Sequence, residues 1–95
     1  MKKTKEDLIK SCTKIMNEMN EVSEVKELSF KQDQMLSMAR YTLYVLDRLN
    51  KGEIEKIGWA EMRVYIDCYD YNSDLWKEFR QFQDDNPDLF EKAKK

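Results

Sequence analysis

The sequence predicts an all-α fold, a compact bundle of four helices with a short fifth at the C-terminal end. Three observations lead there. Apolar residues recur at spacings of three and four along most of the chain. Only two glycines and one proline interrupt 95 residues, too little punctuation for a fold built of many short strands. Residues that start and stop helices recur where the apolar periodicity breaks.

The first helix is expected over 5–21. Thr4 can cap the amide of Asp7, whose carboxylate sits at the positive end of the helix. Leu8, Cys12, Ile15, Met16, Met19 and Val22 then fill one arc of about 140°, a core-facing stripe. The second helix is expected over 30–51. Ser29 with Gln32 reads as a capping box, and Gly52 can take the left-handed conformation that ends a helix. Its inward set is Met35, Leu36, Met38, Ala39, Thr42, Leu43, Val45, Leu46 and Leu49, leaving Ser37, Arg40, Tyr41, Tyr44, Asp47 and Arg48 on the outward half.

The third helix is expected over 53–71 and carries apolar groups on two sides. Ile54, Ile57, Ala60, Val64, Tyr65, Cys68 and Tyr71 form one arc, and Trp59, Met62, Ile66 and Tyr69 a second. Glu61 falls inside the first arc, where a buried carboxylate needs a cationic partner. The alternation of Val64, Ile66 and Cys68 with Tyr65, Asp67 and Tyr69 also permits a strand, but nothing else in the chain offers it a partner. Asn72 or Ser73 caps the fourth helix, expected over 74–84 with Leu75, Trp76, Phe79 and Phe82 as its aromatic stripe. Asn86, Pro87 and Asp88 then read as the start of a fifth helix over 87–93, docked by Leu89, Phe90 and Ala93. No composition shift divides 1–95, so a single domain is expected.

Charge bounds the function. The net charge of −2 gives no global attraction to nucleic acid or to an anionic membrane, and direct nucleic-acid binding is not expected. Its distribution is uneven, however. From Glu61 to Glu91 nine acidic residues face three basic ones, a balance of −6 that leaves +4 for the remainder. Asp67, Asp70, Asp74, Asp84, Asp85 and Asp88 make this half a candidate acidic surface, suited to covering a basic surface that nucleic acid would otherwise occupy. No apolar run approaches the roughly 20 residues of a membrane span. The two cysteines stand far apart, without a CxxC partner, so a reducing, cytoplasmic setting is expected.

Chemical sites are thin. Asp70, Asn72 and Asp74 match the first, third and fifth positions of a calcium-binding EF-hand loop, but Leu75 replaces the glycine of its turn and Gln81 the closing glutamate. A helix-to-helix turn is the better reading. With no histidine, zinc ligation and thiol catalysis lack their usual partners. Glu18, Glu21 and Glu24, with Asp67 and Asp70, allow an alternative, a small all-α metal-dependent hydrolase of the nucleotide pyrophosphatase type; the glutamates, however, lie on the polar side of their helix. Arg40, Arg48, Arg63 and Arg80 assemble no cationic pocket by spacing alone. No cofactor is expected.

A protein partner is expected instead. A domain this small has little interior to cover a helix on two sides, so the Trp59, Met62, Ile66, Tyr69 arc is expected to be covered by another chain, most simply in a symmetric homodimer. Tyr41, Tyr44 and Arg48 are of the residue types enriched at interfaces. The expected function is therefore that of a non-enzymatic interaction module, an adaptor, regulator or inhibitor of a larger protein. Lysine far exceeds arginine, and Asn, Ile and Glu are abundant, which resembles low-GC bacterial or phage coding and fits an inhibitor of a host factor carried by a phage or mobile element.

Overall fold

The computed structural model describes residues 2–68 and 73–91. Its helices are α1 (Lys5–Ser23), α2 (Phe30–Asn50), α3 (Trp59–Cys68) and α4 (Asp74–Asp85), followed by one 3-10 turn at Pro87–Leu89. The protein is an all-helical bundle; among the described residues the only β-type pairing is a single parallel bridge between Ile57 and Phe90.

Capping chemistry sets the ends of α1 and α2. The Thr4 and Ser29 side chains each accept the amide of the third helical residue, while Asp7 and Gln32 reach back to the cap amides. Each box satisfies two otherwise orphaned N–H groups. At the far end of α2, the Gly52 amide donates to the Leu49 carbonyl and the Glu53 amide to the Arg48 carbonyl, with Gly52 at φ +75°. That pairing is a Schellman turn, which needs a residue at ease in the left-handed region.

α1 and α2 form an antiparallel hairpin. Lys5 Nζ donates to Asn50 Oδ1 (2.8 Å), tying the start of one helix to the end of the other. α4 lies antiparallel along the first half of α1: Glu78 takes both Lys3 Nζ (2.9 Å) and the Ser11 hydroxyl (2.8 Å), and Asp85 takes the Lys3 amide (2.8 Å). Leu8 and Cys12 on α1 meet Met38, Ala39, Val45 and Leu46 on α2 in the resulting core.

Aromatic packing closes the core. Tyr65 of α3, with no solvent exposure, stacks on Phe79 at 4.6 Å between centroids and meets Trp76 at 5.4 Å and Tyr41 at 5.3 Å. Phe90 stands edge-on to Phe79 and Phe82, each at 5.8 Å. The expected stripe of α4 is buried in full.

One polar pair sits in this core. The Thr42 hydroxyl donates its only proton to the Met38 carbonyl (2.8 Å), so the 2.8 Å contact with Tyr65 must be a bond that the tyrosine donates and Thr42 accepts. Thr42→Val keeps the shape and removes the acceptor. It should destabilise the protein by about 1–3 kcal/mol in denaturant melts, with Thr42→Ser less harmful.

Several expectations are corrected. The third helix does not begin at Glu53 but at Trp59. After the Schellman turn the chain bends at Glu55 and Lys56, and the Ile57 amide then donates to the Leu89 carbonyl (2.8 Å) while its carbonyl accepts from the Glu91 amide (3.0 Å). Gly58, buried, then marks the helix start, where its amide donates to Glu61 Oε2 (3.0 Å). Glu61 is therefore satisfied by a backbone amide, with no cation required. The fifth helix shrinks to the 3-10 turn: Phe90 is already extended, and Ala93 lies outside the described residues. Asn86 caps no following helix; its amide nitrogen donates to the carbonyls of Lys3 (2.7 Å) and Phe82 (2.9 Å), joining the end of α4 to the N-terminal segment. The residues 69–71 of the expected third helix lie outside the described set, and the segment 64–68 is helix, not strand.

Candidate interaction surface

With Tyr65 as the inward direction of α3, a rotation of about 100° per residue places Met62 about 60° away and Ile66 and Trp59 about 100° and 120° away on the same flank. The exposures follow this geometry. Met62 leans onto the core, whereas Trp59 is 66% exposed and Ile66 49%. Of the expected outer arc, Trp59 and Ile66 thus meet solvent and Met62 leans inward, while Tyr69 lies outside the described residues. Ala60, assigned to the inner arc, is exposed instead.

On α2, Tyr44 is 55% exposed, and the Arg48 guanidinium sits 5.5 Å from the centre of its ring. Arg48 also pairs with Glu53 across the Schellman turn (3.6 Å). A cation–π contact with the Tyr44 ring and the Glu53 carboxylate together restrain a long side chain that would otherwise lose rotamer freedom on binding. Tyr41 is half-buried between the rings of Tyr44 (6.2 Å) and Tyr65, so it couples the outer tyrosine to the core. The structure therefore divides the expected set: Trp59, Ile66 and Tyr44 meet solvent, and Tyr41, Arg48 and Met62 support them.

The acidic surface divides in the same way. Asp74 at the start of α4, Asp84 near its end and Asp88 in the 3-10 turn are exposed. Asp85 is not available in the same sense. It accepts the Lys3 amide and Gln81 Nε2 (3.1 Å), and the Lys3 bond first, then the Gln81 bond, hold its carboxyl below the usual 3.8. Sequence reading could not find this, because the partner lies 82 residues away. The side chain of Asp67, and Asp70 altogether, fall outside the described residues.

Asp7 is held below 3.8 for a local reason, its bonds with the Thr4 backbone and side chain in the capping box. Both carboxyls are more acidic folded than unfolded. The stability they contribute is present in full above pH 3.8 and is lost as pH falls through their lowered values. Thermal melts from pH 6 to 2 should show Asp7→Asn and Asp85→Asn variants less stable than wild type at pH 6, with the differences closing below pH 3.8.

The remaining candidates have structural places. Asp74 and Leu75 are helical, and Leu75 is buried, so the calcium-loop positions they would occupy are the first turn of α4, capped by the Ser73 hydroxyl on the Trp76 amide (3.2 Å). Glu18 and Glu21 on α1 and Glu24 at its C-cap all face solvent. Among the described residues no group of three or more acidic or cysteine side chains is placed to hold a metal ion. The Cys12 thiol is buried, and burial, then the nearby Glu78 carboxylate, push its pKa up to about 12, so it behaves as a small apolar side chain. An open cleft of about 380 Å³ is lined by Lys2, Lys3, Asp7, Lys10, Ser11 and Gln81, but Lys3 and Ser11 are already bonded to Glu78. Among the described residues no helix is long and apolar enough to cross a membrane.

Fold and surface together define an all-helical bundle with bulky side chains left outside an otherwise complete aromatic core. No family model matches the sequence, and neither a curated protein nor a solved structure matches it.

Proposed function

We propose that the protein is a non-enzymatic protein-interaction module, a homodimer through the α3 flank and an adaptor, regulator or inhibitor of a larger protein. The observation that carries this reading is the exposure of Trp59 and Ile66 on one flank of a helix whose Tyr65 is buried against three aromatic rings, those of Tyr41, Trp76 and Phe79. Tryptophan in water forgoes the burial of a large apolar area, and clustered exposure of this kind marks contact surfaces. A second copy of the same flank would cover it with self-complementary chemistry. The exposed Asp74, Asp84 and Asp88 would then be available to meet a basic surface on the larger partner.

Sedimentation at micromolar concentration tests the dimer. Wild type should sediment as a dimer, and Trp59→Lys as a monomer with an unchanged far-ultraviolet spectrum. A wild-type protein that stays monomeric across that range would rule the α3 interface out.

A further inference from the structure

The tip of the α1–α2 hairpin presents a second, chemically different surface. Buried residues stop at Cys12 on α1 and begin only at Leu36 on α2, so the last turns of α1 and the first of α2 extend beyond the main core. Met19, Val22, Leu28 and Met35 are half-buried there. Between the helices Val25 is 83% exposed and Phe30 79%, the two most exposed large apolar side chains described.

The backbone that carries these two side chains is fixed by hydrogen bonds. The Val25 and Lys26 amides both donate to the Val22 carbonyl, and the Ser29–Gln32 box fixes Phe30 as the first residue of α2. A hydrophobic staple would pack the residue before the cap on the fourth helical residue, but here those are Leu28 and Asp33, so Phe30 gains no cover from that device. Apolar groups on an ordered turn lose little freedom when something binds them.

Charge selects the occupant. From 17 to 35 the chain carries Glu18, Glu21, Glu24, Glu27 and Asp33 against Lys26 and Lys31, a net of −3, whereas the whole protein is −2. The last turn of α1 contains no basic residue, so Glu21 and Glu24 add their charge to the negative end of the helix dipole. Among the described residues Glu21, Glu24 and Glu27 have no ion-pair partner; the nearest pair, Lys14 with Glu18, is long at 4.0 Å. Within the protomer this arrangement is repulsive, and two such tips would repel each other, which excludes a second copy as the natural cover.

We infer that the hairpin tip is a docking knob for a cationic amphipathic helix of a partner protein, whose apolar face would cover Val25 and Phe30 while its lysines or arginines neutralise Glu21, Glu24 and Glu27. The inference rests on the reading of the chain as an interaction module but uses a different surface from the α3 flank. A synthetic Leu/Lys amphipathic peptide titrated into the 15N-labelled full chain tests it. Amide shifts should concentrate within 17–35, and affinity should fall at least tenfold in Phe30→Ser and in the triple variant Glu21→Gln, Glu24→Gln, Glu27→Gln. Trp59→Lys should bind as wild type does, which separates this surface from the dimer interface. Equal affinity for a Leu/Glu peptide, shifts centred on α4 or α3, or full binding by both tip variants would overturn the proposal. Melting of Phe30→Ser within a few degrees of wild type keeps loss of binding from being mistaken for loss of fold.

Discussion

Replacing Phe79 by alanine should lower the unfolding free energy by about 3–5 kcal/mol, the largest single effect expected in this chain. Phe79 has no solvent exposure and contacts the rings of Tyr65, Trp76, Phe82 and Phe90, so its removal strips four partners at once. A rigid helix on each side limits how far the surroundings can collapse into the space. Stability in domains of this size is commonly about 5–15 kcal/mol, so the variant should be close to unfolding at 37 °C. Each kcal/mol corresponds to about 4–8 °C at this length, giving a fall of about 12–40 °C by calorimetry. Phe30→Ala is the control, since a phenylalanine 79% exposed should change stability by less than about 0.5 kcal/mol. A Phe79→Ala melt within 5 °C of wild type would contradict the packing described.

Phe90→Ala should cost about 3 kcal/mol and has a spatial signature. Phe90 is 4% exposed and fills the space beside Phe79 and Phe82, while its neighbours Leu89 and Glu91 pair with both backbone groups of Ile57. Without the ring, the bridge loses its anchor. Hydrogen exchange should therefore accelerate at the Ile57 and Glu91 amides far more than at amides within α2. Uniform acceleration would mean instead that the tail and the helices open as one unit.

The periodic elements were legible because local chemistry decides them. The stripes of α1, α2 and α4 fall where the spacing places them, and the Thr4 and Ser29 boxes and the Gly52 turn behave as capping residues do. The start of α3 was misread because an apolar spacing of three continues through Ile54, Ile57 and Ala60, and that pattern outweighed Gly58. A glycine inside a helix costs about 1 kcal/mol relative to alanine, and here it was the available signal of a break. Asn86 carried a valid N-cap identity, but its side chain found carbonyls from α4 and from Lys3, a long-range choice that no local window contains.

At the candidate surface the division was similar. The outward placement of Trp59, Ile66 and Tyr44 followed from helical rotation alone. Met62 lies only about 60° from Tyr65, between the two arcs, and packs against the core. Asp85 looked like its acidic neighbours until the Lys3 amide came within 2.8 Å. A count of charges reports how many carboxylates a segment has, and only tertiary structure reports which are already occupied.

The two long-range ties, Lys3 to Asp85 and Asn86 and Ile57 to Leu89 and Glu91, also have a consequence for a chain that is still being made, because each needs residues from 85 onward. A ribosome releases the α1–α2 hairpin first, with its local caps complete but with the face that α4 will cover still open to water. A chain that stops short of Asp85 lacks both ties and has no partner for Phe79 and Phe82 from Phe90. A stalled chain ending before Asp85 would be a natural client for a chaperone, and one extended past Glu91 by a flexible linker would not.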